Sequence, residues 1–207
     1  MTSRKYIIPV VYILSFFILL AVYLVGDLLD IPYKSITGDP AYATKSNPFT
    51  GVISNIGILL WATTAAVCLF TGLTLRYVKQ SSNDSSFLIS SGLITLMLLL
   101  DDLFMLHDYA FTKYLNIKQV VTYAFYFAIV ALYGLRFWKT IKKNSYVLLA
   151  MAFAFFGTSV FCDLFFAERN IEYFWEDSLK FLGIISWSLY FLKRSSKAMK
   201  MRLVKAN

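Results

Sequence analysis

Tyr6–Leu29 is almost uninterruptedly apolar, and five more runs of the same kind follow it along the chain. A helix rises about 1.5 Å per residue, so about 20 apolar residues cross the hydrocarbon of a bilayer. The runs fall at about 6–29, 51–75, 87–109, 120–138, 146–167 and 175–192. They predict an all-α fold, a six-transmembrane-helix bundle forming a single integral membrane domain over residues 1–207. Composition agrees, because 58% hydrophobic and 18% aromatic residues are too apolar for a soluble domain of this size. A signal peptide would have an apolar region of only about 7–15 residues and a small-residue cleavage site. The first run is longer and ends in Gly26-Asp27-Leu28-Leu29-Asp30.

A net charge of +8 in a soluble protein would suggest nucleic acid. Here the basic residues sit in short segments between apolar runs, the positive-inside pattern, so no nucleic-acid partner is expected. Both ends of the chain and the segments after the second and fourth runs hold most of the 20 basic residues; of the 12 acidic ones they hold only Asp84. That asymmetry places both termini in the cytoplasm and the acidic level outside. The location implied is a multi-pass protein of a bacterial inner (plasma) membrane. Its partner is membrane lipid, with Lys193, Arg194, Lys197, Lys200, Arg202 and Lys205 lying against anionic headgroups. The longest connection is 31–50, interrupted by Pro32, Gly38, Pro40 and Pro48. Cys68 and Cys162 fall in opposite halves of the membrane, too far apart for a disulfide.

The third run ends in Leu96–Asp108, LMLLLDDLFMLHD, which holds two adjacent aspartates, a third aspartate and the one histidine of the chain. Ionisable groups at membrane depth are costly and mark a functional site or an internal partner. Helical rise places Asp101 and Asp102 about 10–12 Å below Tyr109. Asp163 in the fifth run and Lys180 in the sixth fall in the same layer, with Asp27, Asp30, Glu168, Glu176 and Asp177 around it. Asp101 and Asp108, seven apart on a continuous helix, share a face that His107 leaves. Turned inward, these groups form an outward-facing intramembrane site of carboxylates and one imidazole.

Three chemistries suit that set. As ligands, Asp101, Asp102, His107, Asp108 and Asp163 suit Ca²⁺, Mg²⁺ or Mn²⁺, or zinc completed by water or carboxylate. With Asp102, His107 and Asp163 as catalytic groups, such a site would activate water against a lipid ester, amide or phosphate. Lys180, Glu176, Asp177, Asp27, Ser54 and Asn55 would support it, the last two at the start of the second run, where helix capping is the alternative role. A proton- or cation-coupled transporter or sensor uses the same acids as an ion site. A purely structural membrane subunit uses them as ion pairs, with Lys180 neutralising Asp163 or Asp101. The inner halves of the runs hold only Ser, Thr and Cys, so no charged relay crosses. Trp61, Trp138, Trp175 and Trp187 read as lipid belt and packing.

Asp101–Asp108 (DDLFMLHD) and Glu176–Gly183 (EDSLKFLG) resemble uncharacterised small bacterial polytopic membrane proteins. Asn47-Pro48-Phe49 followed by Ser54-Asn55, with a histidine ending the third run and an aspartate on a later one, is also similar to alkaline-ceramidase-like membrane hydrolases. That second resemblance implies lipid amide hydrolysis at a metal. The zinc-ligand histidine pair on the last helix of those enzymes is replaced here by acids and Lys180.

Overall fold

In a computed structural model the chain is all-helical, and the residues described are 7–38, 40–78, 82–143, 146–166 and 170–206. It divides into two compact units, Met1–Gly51 and Val52–Asn207. The first comprises α1 (Ile7–Leu28), α2 (Tyr33–Thr37) and α3 (Pro40–Thr44). The expected loop over 31–50 thus contains two single-turn helices. Pro32 precedes α2 and Pro40 opens α3, positions where a missing N–H costs nothing. Asp30 takes a left-handed φ of 52°, which turns the chain so that the Ile31 amide donates to the Gly26 carbonyl and Tyr33 stacks on Tyr23 at 5.5 Å.

The second unit comprises α4 (Val52–Tyr77), α5 (Ser82–Phe104), a π-helical turn (Leu106–Ala110), α6 (Phe111–Leu115), α7 (Gln119–Lys142), α8 (Val147–Phe166) and α9 (Asn170–Ala206). In it α4 packs on α5 and α9, α8 on α9, and α7 on α5. Small residues let α4 and α5 approach closely, as suits helices in lipid. A Cβ on Gly72 would meet the Ile89 backbone nitrogen at 2.9 Å, and one on Gly92 the Leu69 Cγ at 2.6 Å. The Ser85 hydroxyl, donating to the Gly72 carbonyl at 2.8 Å, seals the same contact. Aromatic rings fill the centre: Trp187 lies 5.9 Å from Trp61, 5.9 Å from Phe153 and 4.8 Å from Phe191.

Among the described residues three helices are long and apolar enough to cross a membrane: Val52–Tyr77, Asn83–Phe104 and Gln119–Lys142. Two more apolar helices, Tyr12–Leu28 and Val147–Asp163, are shorter. Two boundaries differ from expectation for physical reasons. The third helix begins at Ser82, ahead of the expected residue 87, because Ser85 anchors its first turns to α4; it ends at Phe104 rather than Tyr109, because Met105 adopts a left-handed conformation (φ 48°, ψ 47°). The last helix runs unbroken for 37 residues, far beyond Leu192, and packing rather than headgroups takes up Arg194, which is only 5% exposed.

Candidate functional site

The site forms where α5 breaks. A left-handed residue ends the regular helix, and both the Tyr109 and Ala110 amides then donate to the Met105 carbonyl, at 2.9 and 3.1 Å. The break leaves the His107 amide without its helical acceptor. Asp101 supplies one: its Oδ1 accepts the His107 N–H at 3.1 Å. Its Oδ2 lies 2.5 Å from His107 Nδ1. On an unbroken helix Asp101 and His107 would point apart; the turn brings them together and buries both.

His107 Nε2 faces the Asp108 Oδ1 at 3.0 Å, so each ring nitrogen has a carboxylate. An imidazole donates to both only when both nitrogens carry protons, and the arrangement therefore defines an imidazolium. His107 lies beyond the apolar helix that ends at Phe104. Burial alone would push its pKa down, but the hydrogen bonds and charges of Asp101 and Asp108 outweigh that and raise it to about 9. Burial likewise opposes ionisation of Asp108, and His107 overcomes it, so Asp108 titrates below the usual carboxylate range.

Neighbouring helices complete the layer. From α7, Tyr126 donates to Asp101 Oδ1 at 2.7 Å and Tyr123 to Asp163 Oδ2 at 2.8 Å. Gln119 at the start of α7 donates its amide to Asp108 at 2.9 Å and to Asp163 at 3.0 Å, tying α8 to the π-turn. The Tyr123 ring lies 5.0 Å from that of His107. A second group sits beside the first: Asp102 accepts from Trp61 Nε1 of α4 at 2.8 Å and pairs with Lys180 Nζ of α9 at 2.7 Å. Lys180 therefore neutralises Asp102, the acid left out when Asp101 or Asp163 is taken as its partner.

Glu176 and Asp177 lie one turn before Lys180 and, among the described residues, join neither hydrogen-bonded group. Ser54 and Asn55 are exposed at the start of α4 and, among the described residues, give the layer no hydrogen bond. Asp27 belongs to the first unit, and Glu168 lies outside the described residues. Among the described residues no three His, Cys, Asp or Glu side chains are arranged to hold one ion. Both cysteines are free.

Charge balance separates the carboxylates. Asp101 and Asp108 share the imidazolium and Asp102 has Lys180, whereas among the described residues Asp163 has neutral donors only, Gln119 and Tyr123. Among the described residues of these two hydrogen-bonded groups, two cations thus face four carboxylates.

Gln119, Tyr123, Tyr126 and Trp61 are the partners that reading the acids alone misses. The first three repeat at spacings of four and three, one face of α7, which is a legible signal. Of the four tryptophans, Trp61 and Trp187 take the packing role: they are 2% and 1% exposed, and Trp187 donates its N–H to Thr95 at 3.0 Å. Trp138 and Trp175 are exposed, 54% and 59%.

Fold and site together define an α-helical protein with helices long and apolar enough for a membrane and an acid-rich layer at the end of one of them. The chain belongs to the family described as Domain of unknown function (DUF8692), whose model matches residues 10–194. No curated protein and no solved structure matches it.

Proposed function

We propose that this is a multi-pass membrane protein, with six spans and both termini cytoplasmic, whose outward-facing acid layer binds a proton or small cation in transport or sensing. The supporting observation is Asp163. Among the described residues it is the carboxylate of the layer without a cationic partner, held by two neutral donors and lying near other acids. A carboxylate in that position gains most from taking up a positive charge. Gln119 connects it to Asp108, whose side chain is 51% exposed and offers a route from solvent. The charge asymmetry of the chain supports the orientation, and a bacterial plasma membrane is the location proposed.

Proton or cation flux into liposomes tests this directly. Wild type should carry flux, and Asp163→Asn, which keeps the shape and both hydrogen-bonding neighbours, should reduce it at least tenfold. Flux equal in wild type and Asp163→Asn would end the proposal.

The same excess of carboxylate oxygens favours a second reading, a divalent-metal site (Ca, Mg, Mn or Zn) serving lipid hydrolysis. It requires Asp101, Asp102 and His107 to give up their present partners. Stoichiometric metal in the purified protein, lost in Asp163→Asn, would favour it over the first.

A further inference from the structure

The far end of α5 holds another ionic site that the acid layer does not use. Asp84 and Asp102 are separated by about 27 Å of helix at about 1.5 Å per residue. Asp84 pairs with Arg194 Nη2 of α9, a guanidinium whose side chain is only 4% exposed. Arg194 Nε is buried with no hydrogen-bond partner among the described residues, and so is the Tyr190 hydroxyl one turn earlier on α9. Tyr133 of α7 lies within electrostatic reach of both, and it is hydrogen-bonded to Ser91 at 2.6 Å. Buried polar atoms in native proteins are nearly always satisfied, by protein or by ordered water.

Between this site and the acid layer stands the tryptophan pair. Trp61 and Trp187 meet at 5.9 Å, and their N–H groups serve different sides. Trp61 donates to Asp102, while Trp187 donates to Thr95, about 10 Å back along α5. Phe156 and Phe153 pack against the same pair, which makes the divider apolar.

We propose that Arg194 Nε and the Tyr190 hydroxyl hold bound water, with Tyr133 on its edge, forming a hydrated site on the opposite side of the Trp61–Trp187 divider from the acid layer. Both orphan groups can donate, and water offers the acceptor they lack while donating onward to Tyr133 or Asp84. Resting on the reading of the acid layer as a proton site, this site is the second terminal of the path, and a proton crosses in two stages separated by the tryptophans.

Hydroxyl-radical footprinting of the full-length protein in nanodiscs, with ¹⁸O-water as the probe, tests the hydration. Radicals form at bound water, so Tyr190 and Tyr133 should incorporate label at least tenfold faster than Trp187, which is as buried but whose N–H is satisfied by Thr95. Tyr190→Phe should lower labelling at Tyr133 several-fold. Labelling at Tyr190 and Tyr133 no faster than at Trp187 would overturn the proposal, and so would a Tyr190→Phe variant that melts higher than wild type, the mark of a dry hydroxyl. Liposome flux then separates the two ideas. Wild-type flux lost in Asp163→Asn but untouched in Tyr190→Phe would sink the second terminal and leave the acid layer's role standing. No flux in wild type would sink that role, while the labelling would still decide the water site.

Discussion

The two ends of α5 carry ion pairs of opposite construction. At the Phe104 end the helix breaks, four carboxylates face two cations among the described residues, and neutral Gln and Tyr side chains from α7 supply further donors. At the Ser82 end the helix is regular, one carboxylate meets one deeply buried guanidinium, and polar atoms of Arg194 and Tyr190 are left over. An excess of acceptors at one end and of donors at the other teaches that the two sites cannot be copies of one structural device. A layer serving only to hold helices together would be expected to balance its charges, because breaking a buried pair costs more than the pair contributes.

The sharpest way to break the comparison is to remove one cation at each end. Arg194→Ala removes the guanidinium from a buried pair and should cost about 3–5 kcal/mol, the range for losing one partner of such a pair. Lys180→Ala should cost less, about 2 kcal/mol, because its side chain is 35% exposed and water can reach Asp102 in its place. Thermal melting in detergent reads both, and equal losses would remove the distinction in burial between the ends.

A milder probe is pH, which acts on the Phe104 end through His107. Its pKa rises from 6.5 to about 9 in the folded protein. The stability it contributes is therefore fully present below about pH 6.5 and is lost as pH rises through about 9. Melting temperature should fall between pH 7 and pH 10 in wild type, and His107→Gln should flatten that fall. An identical slope in the variant would show that the Asp101–His107–Asp108 bridge is not the titrating element.

The smallest effect expected is that of Gln119→Ala. It removes donors to Asp108 and Asp163, but Asp108 is half exposed and rehydrates, so the cost should be about 1 kcal/mol. Flux, by contrast, should change more than stability, since Gln119 joins Asp163 to the exposed acid. A variant with wild-type flux would confine Gln119 to a bracing role.

Much of this was legible in the chain. The apolar runs announce helices, and the run ending in DDLFMLHD announces a polar layer, because hydrocarbon tolerates charge so poorly that its presence has to be accommodated. The stripe of Gln119, Tyr123 and Tyr126 could have been read from helical spacing, had neutral groups been weighed as partners for acids. The placement of His107 off the Asp101 face could not have been corrected from spacing. The face rule assumes 100° per residue without interruption, and the left-handed Met105 suspends it for the residues that matter. Nor does spacing tell that Arg194, one of six basic residues in the C-terminal tail, is the one drawn into the bundle by Asp84.

Composition and periodicity alone therefore determine that the chain is helical, apolar enough for a membrane, and acidic at one level of it. Those properties follow from each residue's own cost of transfer and from local backbone geometry. Which acid meets which donor was decided only by the tertiary structure. That choice depends on a helix break, on glycines that set how closely α4 and α5 pack, and on side chains brought together from five helices. The pairing of Asp163 with neutral donors rather than a cation among the described residues, on which the proposed function turns, is a property of that assembly and of no single stretch of sequence.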